Sequence, residues 1–251
     1  MKKNFLRQIS ASAFSLFEWC PFAWRRRYRQ GLTLSWDLTD RDLEDEKNFI
    51  GGADLGSLAH WILARWPINE NFEQELEYYL NDREMISRLP AQLRDVWRDK
   101  TKKSELKEWL LKFSESELAL VLRNNKDVKR EYRFSLRLDN KTALAGAIDA
   151  LYGNNLIDYK ITSVNNAPSG LYESQLDFYA FIAHELTGFD EIKTTTVFLR
   201  EGIFSERICN NFDEIQSRIL NASETCASGK LNPKYEHCAS CPFKKNCAFC
   251  N

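Results

Sequence analysis

The sequence predicts an α/β protein, a mixed β-sheet flanked by helices, from three observations. Helical periodicity dominates the first half, the texture changes at Val128 to apolar/polar alternation, and strand-like runs then interleave with two well-bounded helices. The 251 residues are 43% hydrophobic and 28% charged, which excludes disordered and fibrous classes and provides an ordinary core. At about 150 residues per domain, and with no repeat or low-complexity linker, the expectation is one domain over 1–251.

Taken in order, Ser10 to Gln30 reads as a helix capped by Ser10 or Ser12 and broken at Pro21, which leaves Cys20 at a helix end. From Asp54 to Trp66, apolar Leu55, Leu58, Ala59, Ile62, Leu63 and Trp66 follow the 3.6 period on a helix that carries His60. Residues 70–125 are charged and helical, punctuated by Trp97 and Trp109, and read as a helical insertion. Val128 to Leu138 alternates as a half-buried strand. Strands over Thr142–Tyr152 and Asn155–Thr162 are joined by Gly153-Asn154, a two-residue hairpin turn. A helix over Tyr172–Thr187 closed by Gly188, strands over Lys193–Leu199 and Phe204–Ile208, and a helix over Phe212–Ala227 complete the body, followed by a cysteine-rich tail over 233–251.

Lys plus Arg number 35 against 36 Asp plus Glu, so an anionic partner must be met by a local patch. The longest apolar stretches fall far short of the roughly 20 residues of a membrane helix. The N-terminus lacks a contiguous apolar leader segment, so a cytoplasmic protein without membrane contact is expected. Seven cysteines is an odd number, and four of them (Cys238, Cys241, Cys247, Cys250) crowd the tail, which reads as metal or cofactor ligation and not as a disulfide framework.

The chemistry concentrates on the hairpin. A turn at Gly153-Asn154 sets Asp149 opposite Asp158, a like-charge pair that a sheet tolerates poorly unless a cation lies between. The period of two puts Lys160 on the face of Asp158, with Ile157, Tyr159 and Ile161 on the other. Two carboxylates and an ammonium suit metal-assisted phosphodiester hydrolysis: the acids hold a hard divalent ion, and the lysine orients or deprotonates the attacking water. An ordinary surface acid, a turn acid and a salt-bridging lysine are the structural alternative.

The run GAIDALYGNNLIDYKIT resembles the core of the PD-(D/E)XK (restriction-endonuclease-like) nuclease superfamily, and in particular its RecB-like, AddB-like branch. The resemblance implies that Asp149 and Asp158 hold Mg2+ or Mn2+ and that Lys160 is catalytic. It extends to Gly56–His60, which matches a G-x-x-x-H setting and implies His60 as a metal ligand. Gln175 and Tyr179, four apart on one helical face, match Q-x-x-x-Y and are implied at the catalytic site. One departure is Ile161, which stands where the family often has threonine directly after the lysine.

The tail reads C-x2-C-x5-C-x2-C, and four thiolates suit zinc or an iron-sulfur cluster. Iron-sulfur members of the branch use one cysteine in C-P near the start and C-x2-C-x5-C at the end. The resemblance therefore implies a 4Fe-4S cluster on Cys20, Cys238, Cys241 and Cys247, stapling the tail onto Cys20, with Cys250 spare. Cys209 and Cys226 read as small buried hydrophobes. Arg25, Arg26, Arg27 and Tyr28, beside Trp24 and Arg29, have the composition that follows a phosphate backbone and stacks unpaired bases. A solvated helix face is the alternative. The expected activity is a metal-dependent exonuclease on single-stranded or end-containing DNA, in repair, recombination or processing. Rival readings are a CRISPR-associated nuclease that trims spacer precursors beside an integrase, a detached nuclease domain serving a helicase, and a non-catalytic DNA-binding module of the same fold.

Overall fold

The computed structural model describes residues 7–32, 52–65, 71–81, 87, 98–164 and 170–249. Trp66, Trp97 and Cys250 lie outside them. Helix α1 (Ala11–Trp19) is capped by Ser10, whose side chain accepts from the Ala13 amide, and ends at Cys20. Pro21 opens α2 (Pro21–Trp24), where its missing N–H costs nothing, and the chain widens into a π-turn over Arg25–Arg29. Helix α3 (Gly52–Ala64) buries Leu55, Leu58, Ala59, Ile62 and Leu63, the stripe the 3.6 period predicts. The charged stretch that follows holds α4 (Phe72–Asn81), α5 (Lys100–Ser114) and α6 (Glu117–Asn124).

Six strands form one mixed sheet. Strand β3 (Thr142–Tyr152) has three strand neighbours, with β2 (Lys129–Arg137) antiparallel along one edge. The other edge of β3 is shared. A short β1 (Arg7–Ile9) runs parallel to Thr142–Leu144, and β4 (Asn155–Lys160) pairs antiparallel only with Ala150–Tyr152. At the hairpin turn Gly153 takes φ 52°, while Asn154 stays out of the positive region, the sign pattern of a type II′ turn. Helix α7 (Leu171–Thr187) then carries the chain from β4 to a parallel β5 (Ile192–Phe198), and β6 (Ile203–Cys209) closes the sheet antiparallel to β5. Helix α8 (Phe212–Ser228) leads to the tail, which carries two single turns at Cys238–Ser240 and Lys244–Asn246.

Each face of the sheet has its own core. Helices α3 to α6 pack on Ala150, Ile157, Tyr159 and Val197, whereas α1, α7 and α8 pack on Leu144, Ile148, Leu151 and Leu156. Ile148 and Leu151 thus share a face that Ala150 does not, so the period of two slips at Asp149. Directly across, between the Arg130–Ala150 and Tyr132–Ile148 pairs, Glu131 has φ 44°, a left-handed conformation rare for a residue other than glycine. A third cluster of Leu16, Trp19, Cys20, Ala23 and Phe243 fastens the tail to the α1–α2 corner.

Candidate active site

The ladder between β3 and β4 stops at Ala150–Ile157, one pair short of Asp149 and Asp158. The two acids are therefore not a laddered pair as the ideal hairpin predicts; the strands part where they begin. The reason lies in the Asp149 carboxylate, which accepts the Tyr159 amide on Oδ2 at 2.8 Å and so occupies the position of a backbone partner. Its Oδ1 lies 3.0 Å from His60 Nδ1, and His60 Nε2 lies 3.0 Å from the Tyr159 carbonyl oxygen. A carboxylate and a carbonyl can only accept, so both ring nitrogens of His60 act as donors and the ring is an imidazolium. Burial alone would lower its pKa, but the Asp149 carboxylate outweighs burial and raises it from 6.5 to about 9.

Asp158 is 3% exposed. Its Oδ2 is buried without a well-formed hydrogen bond, with Lys160 Nζ 2.7 Å away. Burial pushes the Asp158 carboxyl above its usual range while Lys160 pulls the other way. For Lys160, burial works against the ammonium, but the Asp158 and Asp149 carboxylates overcome it and hold the pKa above the ordinary value. Glu131, half-buried, lies 3.8 Å from His60 Nδ1, and its carboxyl is pushed up first by burial and then by Asp149. Ligand atoms of His60, Glu131 and Asp149 all fall within 4.8 Å of one another. His60, Glu131 and Asp149 thus bring two carboxylates and one imidazole together, with Asp158, ion-paired to Lys160, beside them. Such a set fits a divalent cation.

From α7, the Tyr179 hydroxyl has its pKa raised by burial and then by Asp158 and Asp149, with Gln175 of the same helix acting the other way. The two residues therefore meet each other beside the acids. Their helix reaches the lysine through a third residue, Tyr172, whose ring centroid is 5.1 Å from Lys160 Nζ. Sequence reasoning missed Glu131 and Tyr172. Glu131 stands across from Asp149 once the strand register is known, and Tyr172 extends the Gln175, Tyr179 stripe one turn toward the helix start.

The remaining predicted groups lie elsewhere. Cys20, Cys238, Cys241 and Cys247 all line one cavity, together with Trp19, Phe22 and Arg26. His237 stacks on Trp19 at its wall, with centroids 4.6 Å apart. Cys209 is buried and Cys226 half-buried. Arg25, Arg26, Arg27 and Tyr28 follow α2 directly; Tyr28 is 44% exposed, Arg26 bonds the Gln30 side chain and Arg27 the Leu32 carbonyl.

A mixed sheet whose two central strands part around an acid pair, with a lysine one step beyond the second acid, is the architecture of a nuclease class. The chain belongs to the PD-(D/E)XK nuclease superfamily, whose family model it matches over residues 8–248. It is thus a nuclease of a family that uses divalent metals and acts on nucleic acid. No curated protein matches the sequence. Among solved structures, SSO0001 is similar at 15% identity, over 78% of this chain and 93% of its own, with a TM-score of 0.36, too loose to bear on function. Among the described residues, no helix is long and apolar enough to cross a membrane.

Proposed function

We propose that this protein is a divalent-metal-dependent deoxyribonuclease, an exonuclease on single-stranded or end-containing DNA, of the RecB-like branch, acting in DNA repair, recombination or processing. The observation that carries the reading is the meeting of His60, Asp149, Asp158 and Lys160 at the point where β3 and β4 part. Asp149 and Asp158, with His60, would hold Mg2+ or Mn2+, and Glu131 is a further oxygen donor beside them. A bound ion would supply an activated water and stabilise charge growing on the scissile phosphate.

The chain's own residues do the rest. For His60 to serve an ion, it would have to lose the Nδ1 proton it shares with Asp149, since an imidazolium has no nitrogen lone pair to offer. Lys160, which is cationic in the metal-free protein, orients the attacking water and meets phosphate charge more readily than it removes a proton. Tyr179 and Gln175 hold the wall of the site beside Asp158. The complete acid and lysine set argues against a non-catalytic binding module.

Cys20, Cys238, Cys241 and Cys247 are the proposed ligands of a 4Fe-4S cluster, and their common cavity beside the α1–α2 corner supports the assignment. Such a cluster would join residues more than two hundred positions apart and restrain the unfolded chain as well as the native one. Anaerobically purified protein should then carry about four irons per chain. Cys20→Ser should lose the iron and Cys250→Ser should keep it; the reverse, with stoichiometric zinc, would make the tail a zinc knuckle. Arg25, Arg26, Arg27 and Tyr28 would follow the DNA backbone, with Tyr28 exposed for stacking.

The decisive assay is degradation of end-labelled single-stranded and duplex DNA with Mg2+, Mn2+, Ca2+ or a chelator. We expect cleavage with the first two only, since Ca2+ prefers more ligands at longer distance. Asp149→Ala, Asp158→Ala and Lys160→Ala should each abolish it. Full turnover by Asp158→Ala, or in a chelator, would overturn the reading.

A further inference from the structure

We propose that Tyr172 is the positioning residue of Lys160: its ring face holds the ammonium in the site when Asp158 is engaged elsewhere. The proposal rests on the nuclease reading above for its consequence, but the contact itself stands on geometry. Lys160 has two kinds of partner. One is the Asp158 carboxylate, at 2.7 and 2.9 Å from its two oxygens. The other is the Tyr172 ring, 5.1 Å from the ammonium to the centroid, within the range of a cation–π contact. A carboxylate that ligates a cation spends its oxygen lone pairs on that ion and can no longer hold the lysine as firmly. The ring face has no such competing duty, since its quadrupole attracts an ammonium and not a hydrated Mg2+ bound to oxygens.

The ring is itself fixed. The Tyr172 hydroxyl donates to Thr162 Oγ1 at 3.0 Å, two residues beyond Lys160, and the ring packs on Phe198 of β5 with centroids 6.4 Å apart. One aromatic side chain therefore grips the lysine, the segment that follows it and the neighbouring strand. Tyr172, Gln175 and Tyr179 are spaced three and four apart, so the same stripe of α7 addresses the acids at one end and the lysine at the other. A tyrosine that served only to fill space would need neither the hydroxyl bond to Thr162 nor a face turned to the ammonium.

The test replaces position 172 in the full chain with leucine, phenylalanine and a series of fluorinated phenylalanines, which keep the ring's shape while draining its negative face. Two readouts are taken in Mg2+: kcat and KM on single-stranded DNA, and the rate at which Lys160 is acetylated, followed by mass spectrometry. For Tyr172→Leu we expect about a fivefold fall in kcat with KM unchanged, and about a fivefold rise in Lys160 labelling. Tyr172→Phe, which loses the bond to Thr162 but keeps the ring on Phe198, should fall between wild type and leucine in both, and the fluorinated series should grade smoothly from it toward leucine. Should Tyr172→Leu fail to fold, the fluorinated series alone decides. Equal labelling across that series would overturn the proposal whatever the activity. If the wild-type protein cleaves no DNA while labelling still grades with fluorination, the contact holds and the nuclease reading falls.

Discussion

His60 bonds Asp149 through one nitrogen and the Tyr159 carbonyl through the other, so a proton sits among ligand atoms that could hold a metal ion. Its pKa is raised from 6.5 to about 9 in the metal-free fold. A group raised in the folded state stabilises fully below its unfolded pKa, and that contribution is lost as pH rises through the folded value. The metal-free wild type should therefore exceed His60→Gln in unfolding free energy at pH 6 by up to about 3 kcal/mol more than at pH 10. Urea melts at both pH values, in chelator, check this, and a difference that stays flat would remove the imidazolium from the account. The same bonds give Asp149 a structural role, because its loss would strand the Tyr159 amide and the Nδ1 donor of His60.

At the scale of elements, the glycine that opens the acid motif is explained by its neighbour. A Cβ on Gly146 would lie 3.1 Å from Phe134 Cζ on the paired strand, tighter than a relaxed contact allows, so the ring lies across bare backbone. Gly146→Ala should cost about 1–3 kcal/mol by overpacking, measured by denaturant unfolding; an unchanged midpoint would show that Phe134 yields freely. Elements with strong periodic signals were legible. The α3 stripe from Leu55 to Leu63 follows its pattern, and the Gly153-Asn154 turn sets β3 at its predicted bounds. Strand β1 was not, since three residues carry no period and its pairing to Thr142–Leu144 spans most of the chain. Nor was the slip at Asp149. Val128 and Tyr132 alternate in sequence as if on one face, yet they pack in different cores because Glu131 turns the backbone left-handed between them. A side-chain pattern records hydrophobicity and does not record the sign of φ. His60, Asp149, Asp158 and Lys160 were legible because motif spacing survives such local changes, whereas Glu131 and Tyr172 depend on register and on ring orientation.

At the scale of the whole molecule, separate parts of the chain are tied by charge. Arg218 on α8 bonds Glu18 on α1 and Asp177 on α7, each at 2.8 Å, and Arg207 on β6 reaches Asp177 at 2.6 Å. All are largely shielded, so removing Arg218 strands Glu18 and leaves Asp177 with one partner. Arg218→Ala should cost about 1–3 kcal/mol and, because Glu18 stands two residues from Cys20, should also lower the melting temperature more than a surface arginine would. Thermal melts of Arg218→Ala and the wild type check it, and equal melting would show the network to be idle. Strand β3 has a further property. Its strand partners on one edge are described only for Thr142–Leu144 and Ala150–Tyr152, while β2 pairs along the other edge from Ala143 to Leu151 except at Asp149. In heavy water its amide hydrogens should then divide by direction. Those aimed at β2 would exchange only when the sheet opens, and those aimed into the interval from Ala145 to Asp149 would exchange early. A strand with neighbours on both sides would take up deuterium along one side as an exposed loop does, and mass spectrometry of its peptides would locate the interval without any substrate present.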